Sequence, residues 1–436
     1  MKPHKFLAFL VVLFLTACGT FEAGIEHMPT FTESATANAH ATDKANLDAQ
    51  PTANIPPATL SVLSIGTPVG KVIPSLTAPI LGSTDMGELY FSIRTPDRTS
   101  TKLLKVSGAC ALGLSLCTVP EVVNGYPNIG LDVVPLSWSP LGDTADLFTY
   151  LSDNMTGQVM LFTPALNEWR PLNQFIPAFG GQIPPRSEDG KWIAVVGNGY
   201  PYDILVISAE TGEKREISGE LFSQQNGWID SLSWYSGQVL VAFHNQLPDS
   251  GPGGLWLIPP SGSGPVQMAA FDQPFESPEI APSGKAIAVV LDEYSPDRNP
   301  SQNQSPDRSR VILTNLYGEN LTTLAEFQNN SVTDLRWSWN GKWILFSTIN
   351  DADSGYITYA IMPDGSNLHE VFRLTQTTYY ILPTPDDDTI LIQTDQFPYS
   401  RIYRVSITTG NHAVLEIPGI DSNMDWLAAS WRPPRR

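Results

Sequence analysis

The side chains of this chain with the most chemical capacity are its carboxylates, its tyrosines and its three cysteines, and the spacing of each set limits what it can do. Only His244, His369 and His412 fall in the body of the sequence. None is spaced from a second His or Cys as a metal site requires, and each reads as a loop or strand-face residue. Asp351 and Asp353, followed by Gly355, open like a calcium loop, but Met362 stands where the bidentate Glu belongs, so the stretch reads as a polar turn. No G-x-S-x-G elbow, phosphate-binding loop or dinucleotide fingerprint is present. No metal, no cofactor and no catalytic constellation is expected. Acids are plentiful, 44 Asp and Glu against 25 Lys and Arg, yet nothing in the sequence selects a pair at the separation that glycoside chemistry needs. The resulting net charge of −19 argues against nucleic acid as a partner, because an acidic surface repels a polyanion and releases no counterions from it.

The first cysteine, Cys18, ends a short amino-terminal signal. Lys2 and Lys5 precede a ten-residue apolar run, Phe6 to Leu15, half the length needed to span a bilayer. The segment Leu15-Thr16-Ala17-Cys18 resembles the bacterial lipobox, which implies cleavage after residue 17 and acylation of Cys18. The mature charge then becomes −19 − 2 = −21, since the signal carries two lysines. Residues 1–17 are thus a lipoprotein signal peptide, and 18–57, rich in Thr, Ala, Asn and Pro without apolar periodicity, a flexible tether. The chain is expected on the outer side of a bacterial membrane, or on an outer membrane if there are two, held by its lipid. Oxidation is permitted there, so Cys110 and Cys117 are expected to pair around an eight-residue loop, a closure that contributes about 2.5 kcal/mol in the chain-entropy picture.

Residues 58–436 are organised by repetition. Extended runs flank turns anchored at Gly142, Gly190, Gly237, Gly284, Gly341 and Asp387, spaced by 48, 47, 47, 57 and 46 residues. A second hairpin recurs within each period, as in 203–217, 310–324, 356–372 and 401–417. Apolar and polar residues alternate in both, so each unit is four antiparallel strands, A to D, and the period points to an all-β propeller. Trp138, Trp234, Trp337 and Trp431 recur just before the turns or in the equivalent place, as blade-packing residues.

Asp189-Gly190-Lys191-Trp192-Ile193-Ala194 and Asn340-Gly341-Lys342-Trp343-Ile344 are similar to the repeat signature of TolB-type, WD-like β-propellers, and Ser139-Pro140 and Ser283-Gly284-Lys285 match it in part. The resemblance covers roughly residues 80–435 and implies the fold. It departs from TolB itself in the lipid anchor and in lacking the α/β domain that precedes that propeller. The last repeat stops after its first strand, near Trp426 to Trp431, whereas 87–93, 102–107 and 118–123 look like B, C and D without an A. Joining them closes a ring of seven blades and hides both sheet edges. Residues 76–84 could supply an A strand instead, so six or eight blades stay open at this point.

The B–C and D–A connections of such a ring share one rim. There Tyr200, Tyr202 and Asp203, then Asp249, then Phe397 and Tyr399, interleave aromatics with carboxylates. The longest interval places an insertion, Glu293 to Asp307 with Tyr294 at its start, over the same face. Rigid rings beside fixed polar groups suit glycan or peptide recognition. The expected function is a monomeric, non-catalytic module that binds an envelope protein or glycan. The alternative is a glycan hydrolase or lyase using rim or channel carboxylates.

Overall fold

The computed structural model describes residues 85–94, 101–125, 136–139, 141–150, 156–172, 176–177, 184–197, 203–218, 227–245, 253–262, 264–271, 275–295, 305–350, 355–374, 378–394, 401–420 and 425–434. All of them belong to one compact unit, Ile73–Arg436. The signal, Cys18 and the tether lie outside the described residues. No described helix is long and apolar enough to cross a membrane.

The strands follow the repeat. The first sheet contains β1 (Glu88–Arg94), β2 (Thr101–Ser107) and β3 (Glu121–Val122); between its last two strands sits α1 (Gly108–Ala111), a four-residue helix. The second contains β4 (Ser137–Trp138), β5 (Ala145–Tyr150), β6 (Thr156–Thr163) and β7 (Glu168–Pro171), with β8 (Ile176–Pro177) paired to β6. The third contains β9 (Trp192–Val196), β10 (Ile204–Ser208) and β11 (Lys214–Glu216). The fourth is β12 (Gly227–Tyr235), β13 (Gln238–Asn245), β14 (Gly253–Ile258) and β15 (Val266–Phe271), and the fifth β16 (Phe275–Ile280), β17 (Ile287–Glu293), β18 (Arg308–Thr314) and β19 (Thr322–Gln328). The sixth is β20 (Asn330–Trp337), β21 (Ile344–Asn350), β22 (Tyr356–Ile361) and β23 (His369–Leu374). The seventh is β24 (Thr378–Pro383), β25 (Thr389–Thr394), β26 (Arg401–Ser406) and β27 (His412–Val414). Finally β28 (Asp425–Arg432) pairs with β1 and gives the first sheet the order β28-β1-β2-β3.

The composite closure read from the sequence is therefore the observed one: the carboxyl-terminal strand is the innermost strand of blade 1, and there are seven blades. In blade 3 the inner position is held by Pro185 to Ser187, where Arg186 bridges Ile193 and Ala194 N–H donates to Pro185 O at 3.0 Å. Successive inner strands touch, β12 with β16, β16 with β20, β20 with β24, β24 with β28 and β28 with β4.

Strand alternation explains why the ring holds. In β13, Val239, Val241 and Phe243 face blade 3, whereas Leu240 and Ala242 face blade 5; in β9, Ile193 and Val195 face blade 2 and Ala194 and Val196 face blade 4. Period-two patterning with both parities apolar thus serves two neighbours. The described residues form seven such cores, one at each junction of the ring, including blade 7 to blade 1 through Leu382, Leu391 and Ile402 against Leu89, Phe91 and Trp431. The tryptophans add polar ties across junctions. Trp234 donates to Pro185 O and Trp337 to Glu279 O, both at 2.9 Å, and Trp138 donates to Ser430 Oγ at 3.3 Å. At the A–B turns the anchor residues all have positive φ, from 60° at Asp387 to 76° at Gly341, which is why glycine recurs there.

Candidate functional site

Five of the inner strands share a local irregularity. Each carries one extra residue relative to its B-strand partner: Asp230 in β12, one within Ser277-Pro278 in β16, one within Asp334-Leu335 in β20, Tyr379 in β24 and Leu427 in β28. Ser277 and Asp334 have φ of 50° and 53°, the strained left-handed region, as bulge geometry demands. A bulge shifts side-chain parity along the strand, so polar residues come to occupy positions that regular alternation would give to the core. Two of these bulges carry a carboxylate, Asp230 and Asp334, and a third is flanked by Glu276 and Glu279.

The first group joins blades 4 and 5. Asp230 Oδ2 accepts from Ser277 N–H at 3.3 Å, tying one bulge to the next. Asp292, near the end of β17, is 2% exposed and accepts from Ser309 Oγ. Glu276 lies within electrostatic reach of both. Burial, with repulsion from Asp292 and then Asp230, pushes Glu276 from 4.5 up to about 7. Burial also raises Asp292 to about 6, partly offset by Ser309, and raises Asp230 against the opposing Ser277 N–H. The Tyr294 hydroxyl is raised by burial and by the charges of Asp292 and Glu276. The strand positions put this group at the D–A end of β16 and the B–C end of β17, on the rim singled out from the sequence.

The second group joins blades 5, 6 and 7. Arg336 on β20 pairs with Glu279 on β16 and lies 5.7 Å from the Tyr380 ring centre. Each partner keeps about a third of its side chain open, 33% and 32%, although both sit on inner strands, and burial still raises the Glu279 carboxyl against the pull of Arg336. Glu279 keeps Arg336 firmly charged. Burial raises Asp334 to about 6 with Arg336 opposing, and Tyr380 is raised by burial as well.

Of the residues proposed from the sequence, Tyr294 belongs to the first group and Asp203 is half-buried just before β10. Tyr200, Tyr202, Asp249, Phe397, Tyr399 and the Asp351 turn lie outside the described residues. Sequence reasoning missed Asp230, Glu276 and Asp292; the available signal was a polar residue near the same point of consecutive inner strands. Cys110 and Cys117 form a disulfide with Cα atoms 4.8 Å apart. His369 Nδ1 and Nε2 lie 2.7 and 2.8 Å from the carbonyls of Asn367 and Ile407, at the junction of blades 6 and 7. Among the described residues no three His, Cys, Asp or Glu side chains converge as a metal site.

The raised carboxyl of Glu276 has a measurable consequence. Folded protein binds this proton more tightly than unfolded chain, so its contribution is fully present below about pH 4.5 and is lost as the pH rises through 7. Glu276→Gln removes that loss. The variant is expected to match the parent at pH 4 and to be more stable by about 2 kcal/mol at pH 8, the full linkage being reduced for partial solvation. Urea unfolding at the two pH values checks this, and an equal difference at both would show that Glu276 is well solvated.

No protein-family profile and no curated protein sequence matches the chain. Solved structures do. An oligogalacturonate lyase in complex with manganese is similar over 75% of this chain and 85% of its own, at 10% identity and a TM-score of 0.51. A prolyl endopeptidase is similar at 12% identity and a TM-score of 0.55, over 79% of this chain, which spans 49% of the endopeptidase. TolB from Acinetobacter baumannii is 12% identical over 79% of this chain and 67% of its own, at a TM-score of 0.43. At such identities the first two speak for the propeller fold alone, and the TolB-type resemblance rests on the repeat sequence.

Proposed function

We propose that this chain is a lipid-anchored, extracytoplasmic β-propeller of the bacterial envelope that binds a protein or glycan without transforming it, at the channel mouth where Asp230, Glu276, Asp292 and Tyr294 gather. The observation that carries this reading is the gathering of three carboxyl groups and a phenol from blades 4 and 5 at one rim, with Asp230 bonded to Ser277 N–H and Asp292 to Ser309 Oγ. With Glu276 at about 7 and Asp292 at about 6, the cluster presents both donors and acceptors near neutral pH, which matches hydroxyl and amide groups. The resembled lipobox at Cys18 supplies the anchor, and the acidic balance leaves attachment to the lipid, since anionic headgroups are repelled. No cofactor is required, and the partner is not nucleic acid.

A photo-crosslinker introduced at Tyr294 in the anchored protein, irradiated in intact cells, is expected to trap one discrete species, which mass spectrometry identifies. Release of sugar fragments from an envelope polymer with no trapped adduct overturns the reading. That second outcome belongs to the hydrolase or lyase alternative, which one observation favours: a carboxyl held near 7 beside one held near 6 is the pattern of a general acid and its partner. Loss of fragment release in Glu276→Gln distinguishes it.

A further inference from the structure

A second surface, remote in construction from the channel mouth, lies at the seam where the ring closes. There the Cys110–Cys117 loop of blade 1 faces the outer edge of blade 7 across a groove of about 820 Å³. Leu116, Val414, Ile417 and Trp426 make its apolar wall, and Arg401 and Arg404 supply positive charge. Leu114 and Leu116 on that loop are 63% and 95% exposed, and Val119 and Val122 just beyond it 70% and 53%, a concentration of aliphatic surface beside the disulfide.

Three features say what the groove takes. β27 is the outer edge of its sheet and, among the described residues, pairs only with β26. Leu415 N–H donates inward to Ile402 O at 2.8 Å, so by antiparallel alternation the backbone groups of Val414 and Glu416 point outward, into the groove side. The guanidinium groups of Arg401 and Arg404 form no ion pair or hydrogen bond with another described residue, in a chain that has 44 acids for 25 bases. The Arg404 guanidinium lies under the loop at Gly113, whose φ of +74° is the left-handed region that favours glycine.

We propose that this groove binds an extended acidic segment of a partner protein, which adds as a fifth strand along β27, sets alternate apolar side chains against Leu116, Val414 and Ile417, and pairs its carboxylates with Arg401 and Arg404. A lipid surface fits less well, because the site is concave, offers a strand edge and sits on an acidic chain. A second copy docked edge to edge sets Arg401 and Arg404 against their own counterparts.

Fluorescence anisotropy with residues 58–436 and a labelled heptapeptide alternating valine and glutamate tests the proposal. Expected is saturable binding, weakened about tenfold or more when glutamate is replaced by lysine, when alternate peptide nitrogens facing β27 are methylated, and when the exposed Arg401 is changed to Glu. The methylated peptide needs no protein variant, so it reads strand addition without any risk to folding. Absence of binding, equal affinity for the acidic and basic peptides, insensitivity to methylation in both alternating registers, or binding to phosphatidylglycerol vesicles in place of the peptide overturns it. None of these results bears on the channel-mouth reading, which the crosslink at Tyr294 tests separately.

Discussion

Removing residues 425–436 is expected to abolish cooperative thermal unfolding of the propeller, with the truncated chain showing a broad transition and dye-binding apolar surface at ambient temperature. The expectation follows from what β28 does. It is the inner strand of blade 1, paired with β1 from Glu88↔Arg432 to Arg94↔Asp425. It supplies Trp426, Ala429 and Trp431 to the core between blades 7 and 1, where these side chains are 8%, 3% and 4% exposed. Burying one large aromatic is worth about 3–5 kcal/mol by truncation, and a whole domain has only about 5–15 kcal/mol to lose. Polar ties go with it: Trp431 Nε1 donates to Met86 O at 2.9 Å, Arg432 Nε to Gly142 O at 2.6 Å, and Arg432 also pairs with Glu88. Differential scanning calorimetry on residues 58–436 and 58–424 decides it, and an unchanged transition temperature would mean that the ring does not depend on this strand. Trp431→Ala should lower stability by about 3–5 kcal/mol while keeping the transition cooperative.

The same strand shows why so much of the fold is legible in the sequence. An inner strand without its B, C and D at one end, and a B, C and D without an inner strand at the other, are visible as pattern because each strand has period two and each A–B turn requires a positive φ that Gly142, Gly190 or Gly341 provides. The repeat spacing then fixes the number of junctions, and the seven cores fill them. The channel group was not legible for an equally physical reason. Asp230, Glu276 and Asp292 are separated by 46 and 16 residues and come from different strands of adjacent blades. Bulges at Asp230 and just after Glu276 shift the parity of β12 and β16 where these two residues stand, which alternation along the sequence does not reveal. Tyr294 is reached through the long repeat interval that marks its insertion, and its acidic surroundings only emerge once blades 4 and 5 are side by side.

Charge is used differently at the junctions than at the channel mouth. Glu279 with Arg336, Glu88 with Arg432 and Asp146 with Arg186 each join inner or next-to-inner strands, the first and last between neighbouring blades. The pairs that are least solvated specify which strand meets which, because an ion left alone at a junction costs far more than a mismatched methyl group. An acidic chain with few cations therefore spends several arginines on its own architecture, which makes Arg401 and Arg404 at the closing seam, whose guanidinium groups meet no carboxylate among the described residues, the more conspicuous.

The sharpest consequence concerns Asp146 on β5 and Arg186 on the inner strand of blade 3. Their side chains are 0% and 5% exposed, with Arg186 Nη1 donating to both carboxylate oxygens at 3.3 and 3.2 Å, and Nε and Nη2 donating to Gly190 O at 3.0 and 2.9 Å. Burial raises the Asp146 carboxyl to about 7 even though Arg186 pulls it down. The folded state thus holds this proton more tightly than the unfolded chain, whose carboxyl titrates near 3.8; the contribution is complete below about pH 4 and declines as the pH rises through 7. Without the guanidinium the folded value climbs further, so Arg186→Met should lose progressively more relative to the parent as the pH increases. The expected deficit is about 3 kcal/mol at pH 8 and clearly smaller at pH 5, where Asp146 is protonated and what is lost is the hydrogen bonds to Gly190 O and to a neutral carboxyl rather than the partner of a buried charge. Combining Arg186→Met with Asp146→Leu removes both the cation and the orphaned carboxyl, and should restore most of the lost stability and flatten the added pH dependence. Urea denaturation of the three proteins at pH 5 and pH 8 measures the cycle. A deficit for Arg186→Met that is the same at both pH values would place Asp146 in contact with water, and the junction between blades 2 and 3 would then be held by its apolar core of Val159, Leu161, Ile193 and Ile207 alone.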